Sequence, residues 1–121
     1  MGDNDLKERT KSFAIAVVRV VSSLLRSVVA DVMGKQLLRC ATSVGANYRA
    51  ASRAQSRSDF AAKLAIVIEE CDEVQYWLDL LYSQGIIDER HFGTLHMEAG
   101  ELTAIFVASR KTSMANRARK H

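Results

Sequence analysis

Residues 36–81 read QLLRCATSVGANYRAASRAQSRSDFAAKLAIVIEECDEVQYWLDLL, and two helical patterns meet inside this stretch. In its second half Phe60, Leu64, Val67, Cys71, Val74, Leu78 and Leu81 recur at alternating intervals of four and three, which lays one seam along a helix. In its first half Leu37, Cys40, Ala41, Val44, Tyr48, Ala51 and Gln55 gather on one side of a wheel turning about 100° per residue. Lys35, Arg39, Arg49, Arg53 and Arg57 fall on the other side within an arc of roughly 80°, if the helix continues that far. Between the two patterns Ser56-Arg57-Ser58-Asp59 reads as a short turn. Ser56 or Ser58 is placed to cap the following helix, and Asp59 lies where the helix dipole favours an acid. Gly45, in the middle of the first pattern, costs about 1 kcal/mol relative to alanine unless a close helix contact uses its missing side chain.

Working outward, Leu6, Thr10, Phe13, Val17, Val20 and Leu24 form the same kind of seam upstream. A second apolar line, Ala14, Val18, Val21, Leu25 and Val28, runs beside it and makes this face wider than one core-facing stripe requires. The excess suggests a subunit interface; the alternatives are a helix well buried in its own bundle, or a strand around Val17–Val21. The next helix is expected to begin between Val28 and Gly34 and to run to about Gln55. Downstream, Gly85 stops the third helix, and Asp88 can cap a fourth. Phe92, Leu95, Ala99, Leu102, Phe106 and Ser109 supply the fourth seam. Beyond residue 109 the large apolar residues give way to basic charge, so residues 110–121 are expected to form a frayed or disordered tail on a domain spanning 1–109. Four helices with short connections predict an all-α, antiparallel up-and-down four-helix bundle.

Composition agrees. The 121 residues suit one domain, 48% of them are hydrophobic, and the chain has no proline and only six glycines to interrupt a helix. The two cysteines, Cys40 and Cys71, sit in helical patterns and read as buried thiols in a reducing cytoplasm. An acidic, polar start lacks the form of a signal peptide, and charges interrupt the longest apolar run, so a cytoplasmic protein without a membrane span is expected. The net charge of +3 hides a sharp division. Residues 1–32 carry five basic side chains and four acidic, residues 33–67 six and one, residues 68–101 one and nine, and residues 102–121 five and none.

Catalytic patterns are missing. No nucleophile constellation, phosphate-binding glycine loop or zinc spacing is present, and Ser43 and Ser56 lack a sequence-evident histidine partner. The acidic group Glu69, Glu70, Asp72 and Glu73 does not make a di-iron site, which needs Glu-x-x-His on facing helices. No catalytic residue, metal or cofactor is therefore expected.

Leu38-Arg39, Ala41, Ser43-Val44-Gly45-Ala46-Asn47-Tyr48, Ala54, Ser56, Asp59-Phe60, Lys63-Leu64, Glu70, Glu73 and Tyr76-Trp77-Leu78 with Leu80-Leu81 carry a family likeness. On these residues the chain resembles the four-helix bundle proteins encoded in intervening sequences of bacterial large-subunit ribosomal RNA genes. Phe13-Ala14 and Glu98-Ala99 to Leu102 fit the same pattern. Ala50 stands where the family often has glutamate, and Leu25-Arg26 where a leucine-proline often ends the first helix. The chain is similar, more distantly, to accessory proteins of diversity-generating retroelements. The resemblance implies a bundle assembled into a homopentameric ring without enzymatic activity.

The leading expectation is a non-catalytic oligomer that binds structured RNA or DNA through phosphate contacts. Its cations are Lys35, Arg39, Arg49, Arg53 and Arg57, with Arg110, Lys111, Arg117, Arg119 and Lys120 as an electrostatic arm. The competing expectations are a merely solvated face, or cations that pair with the acidic third helix of a neighbouring subunit. The runner-up is a scaffold or accessory subunit for a protein partner such as a polymerase or mobile-element enzyme. Val18, Val21, Leu25 and Trp77 are the candidate interface residues, Trp77 because aromatic side chains are enriched at such contacts.

Overall fold

A computed structural model describes residues 2–119. It contains four helices in sequence: α1 (Asp3–Ser22), α2 (Val28–Ser52), α3 (Arg57–Ser83) and α4 (Glu89–Arg119). Each start has a chemical reason. The Asp5 carboxylate accepts the Gly2 amide at 3.3 Å, Ser27 Oγ accepts Ala30 N–H at 3.0 Å, Ser56 Oγ accepts Asp59 N–H at 3.0 Å, and Asp88 Oδ1 accepts His91 N–H at 2.8 Å. These contacts satisfy amides that an isolated helix leaves bare. The α3 end is a Schellman turn: Gly85 takes φ +71°, its amide reaches Tyr82 O, and Ile86 N–H reaches Leu81 O at 2.9 Å.

The four seams close on one core. Phe13, Val17, Leu37, Val44, Leu64, Val67, Val74, Leu78, Leu102 and Phe106 are buried with Cys40 and Cys71 between them. Truncating one such side chain to alanine costs about 2–5 kcal/mol. The Tyr48 ring packs on Phe106 at 5.4 Å between centroids. Burial, above all, pushes the thiols up, Cys40 to about 11 and Cys71 to about 12. On the α1–α4 side the Arg9 guanidinium spans Glu98, at 2.8 and 2.7 Å, and Glu101 at 2.8 Å.

Gly45 has its use. A Cβ there would meet Thr10 Oγ1 at 3.2 Å and Thr10 Cβ at 3.4 Å, so the missing side chain lets α1 lie close against α2. Thr10 itself is buried, its hydroxyl donating to Leu6 O at 2.8 Å.

The Val17–Val21 stretch is part of helix α1, as its seam predicts, and the alternative strand is not formed. Two helix ends differ from the sequence expectation. The second helix begins at Val28 behind its Ser27 cap, within the expected window, but ends at Ser52, so Gln55 is exposed in the connection and does not join the core face. Residues 110–119, expected to fray, continue α4. Ser113 is buried there and donates to Arg57 O at 3.2 Å, and Arg110 Nε donates to Ala61 O at 3.1 Å. Ser109 and Ser113 carry the seam onward at the same spacing with small polar residues. No described helix is long and apolar enough to cross a membrane.

Candidate nucleic-acid interface

The expected cationic stripe is divided by the fold. Arg39 leans toward α3, where its guanidinium donates to Glu73 Oε2 and lies 3.6 Å from Glu70 Oε2. Its Nε also reaches Gln36 Oε1 at 3.1 Å. Trp77 Nε1 donates to the same Glu73 oxygen at 3.2 Å, while the indole packs partly against the core. Glu70 Oε2 is buried and has no hydrogen-bond partner among the described residues, since 3.6 Å is ion-pair distance and too long for a hydrogen bond. Arg39 thus belongs to a clamp between two helices of one chain. The acidic third helix it meets is its own.

Three of the remaining four cations, all but Lys35, gather at one end. In an antiparallel bundle the α2 C-terminus, α3 N-terminus, α4 C-terminus and α1 N-terminus share a pole. Arg49 is exposed in the last turn of α2, Arg53 is its C-cap, and Arg57 is the first residue of α3, so the three follow a helix–turn–helix corner instead of one straight stripe. Arg49 lines a groove of about 270 Å³ between α1 and α2 with Lys7, Thr10, Lys11 and Ala14. Arg57 opens onto a larger groove, about 950 Å³, against α4. The Ser113–Arg57 and Arg110–Ala61 bonds bring Arg110 and the exposed Lys111 to the same pole. Among the described residues Arg49, Arg53, Arg57 and Lys111 form no ion pair, and two acids of this end are paired with other cations: Asp59 with Lys63 at 2.6 Å and Asp3 with Lys7 at 3.0 Å. The Asp3 carboxyl is held below its ordinary value, first by the hydrogen bond from Tyr48 at 2.7 Å and then by Lys7. Burial, followed by that hydrogen bond, pushes the Tyr48 hydroxyl up.

Lys35 is exposed farther along α2, beside Leu24, Leu38 and the Arg26–Asp31 pair at 3.0 Å. Arg117 and Arg119 fall in the last turn of α4, but their side chains, and all of Lys120, lie outside the described residues. Of the candidate interface residues, Val21 is half-buried on the core, Val18 is exposed and Leu25 is 91% exposed. Sequence reasoning missed Val29 and Val32, which are exposed beside Val28 and Leu25 and extend one apolar corner. Their signal was a run of valines at the helix start, facing away from Leu37. No group of three or more described His, Cys, Asp or Glu residues is arranged to hold a metal ion.

Fold and surface together define a small all-α four-helix bundle that carries, among the described residues, a group of unpaired cations at one pole. The chain belongs to the 23S rRNA-intervening sequence protein family, whose model matches residues 2–108. It is similar in structure to a protein of unknown function from the S23 ribosomal protein family of Bacteroides thetaiotaomicron VPI-5482, at 36% identity and a TM-score of 0.84. That likeness covers 92% of this chain and 99% of the other. No functionally curated protein matched.

Proposed function

We propose that this protein is a non-catalytic, cytoplasmic bundle that binds structured nucleic acid, RNA or DNA, through phosphate contacts at its basic pole. The observation that carries the reading is the corner Arg49–Arg53–Arg57, joined by Lys111, in which no cation is neutralised by a described carboxylate. Cations left free of protein partners release counterions from a phosphate backbone, and this supplies sequence-independent affinity. The family name, with its reference to 23S rRNA, supports the same direction.

The bundle assembles with copies of itself, and a homopentameric ring is the form proposed. Support comes from uncovered apolar residues: Leu25 is 91% and Val28 81% exposed, Val29 and Val32 are exposed in the same first turns of α2, and Val18 is exposed on α1. Surfaces of this kind mark protein contacts. The same residues support the second reading, a scaffold for another protein.

Fluorescence anisotropy with a structured RNA and with duplex DNA of similar length, repeated at several salt concentrations, tests the main reading. The expected result is binding whose logarithm falls with the logarithm of salt at a slope of several phosphates. No binding of either at low salt contradicts it.

A further inference from the structure

The groove at the basic pole differs in chemistry from the other large opening. Between α1 and α4 an opening of about 800 Å³ is walled chiefly by apolar groups such as Phe13, Leu95 and Met97. The groove at the pole, about 950 Å³, has a mixed lining that includes a cation in Arg57, an aromatic wall in Phe60, the hydroxyls of Ser109 and Thr112, and the amide of Asn116. The Asp3 carboxylate also lines it, already engaged by Lys7 and the Tyr48 hydroxyl. Its volume lies in the range of about 300–1,000 Å³ common to small-molecule sites. Two hydrogen bonds fix its frame. Ser113 holds the backbone of Arg57, and Tyr48 is tied to Asp3 on the opposite wall.

We propose that this groove seats one unpaired nucleotide of the bound strand. Phosphate alone needs a cation but no aromatic wall or amide. A paired base in a duplex keeps its face stacked and its pairing edge occupied, so it cannot use Phe60 or Asn116. An unpaired nucleotide uses all of them: its phosphate meets Arg57, its base lies on Phe60, and its pairing edge faces the donors and acceptor of Asn116 with the neighbouring hydroxyls. The inference rests on the nucleic-acid reading of the pole and adds that unpaired ends or loops are preferred over continuous duplex.

The test uses the full chain and two RNA duplexes of equal nucleotide count, each annealed from two separate strands so that neither has a loop, one blunt and one ending in unpaired nucleotides. The duplex with unpaired nucleotides binds about tenfold tighter, within what stacking one base contributes. Ala108→Trp, which fills the groove from its exposed wall, abolishes that difference, and Asn116→Ala narrows it. Equal affinities for the two duplexes overturn the groove proposal and leave the pole reading standing. If neither duplex binds, the pole reading fails, and titration with adenosine monophosphate followed by amide NMR decides the groove alone. Saturating shifts at Ser109, Thr112 and Asn116 that inorganic phosphate does not reproduce support the proposal. Identical shifts with inorganic phosphate, or no shifts, overturn it.

Discussion

Arg39 and Arg53 carry the same charge and lie on the same side of the helical wheel, but the fold treats them in opposite ways. Arg39 sits where α2 packs along the acidic middle of α3, and Glu70 and Glu73 take its guanidinium. Arg53 caps α2 at the corner, beyond the reach of any described carboxylate, with Arg49 and Arg57 on either side. A cation used between helices serves stability, whereas one left bare at a pole is available to a polyanion. The useful quantity on this surface is therefore not the count of basic residues but the fraction left unpaired by the chain's own acids.

Breaking the corner should have the largest effect. Reversing Arg49, Arg53 and Arg57 together to glutamate is expected to lower nucleic-acid affinity on the order of a hundredfold or more at 0.1 M salt. The circular-dichroism melting curve should remain close to that of the parent, because none of the three is ion-paired among the described residues. Breaking the clamp should do the reverse. Arg39→Ala leaves the partly buried Glu70 without its cation and is expected to cost about 1–2 kcal/mol in urea unfolding. Affinity for RNA should be nearly unchanged.

A second internal cation, Arg9, sharpens the comparison through pH. Its hydrogen bonds, above all, hold the Glu98 carboxyl below the ordinary 4.5. A carboxyl with a lower pKa in the folded state contributes stability that is complete above the unfolded value and is lost as pH falls through the folded one. Stability should therefore decline on acidification below about 4.5. Glu98→Gln should flatten that decline in pH-dependent melting while leaving nucleic-acid binding alone. The smallest effect is expected from the core thiols. With burial raising Cys40 to about 11 and Cys71 to about 12, thiol reagents at pH 8 should label neither until the bundle unfolds.

Most of the fold was legible because the seams repeat without proline and the caps are local. Ser56, Gly85 and Asp88 act within a few residues of themselves, so sequence suffices to place them. The far end of α4 was not legible for a physical reason. Its seam continues through Ser109 and Ser113, and hydrophobic periodicity gives no signal when the buried positions are hydroxyls bonded to another helix. The division of the cationic stripe was also hidden. Wheel position places Arg39 and Arg49 on one face, but only the packing of α3 against one flank of that face decides which finds a carboxylate. The turn after Ser52 moved Arg57 off the wheel altogether and made it the opening residue of α3.

The central claim is best tested by comparing the salt slopes of RNA binding for the parent, Arg39→Gln and Arg53→Gln. Each change removes one charge with little change in size. The account predicts that Arg53→Gln reduces the log–log slope by about one while Arg39→Gln leaves it unchanged. Equal reductions for both variants, or none for Arg53→Gln, would contradict it.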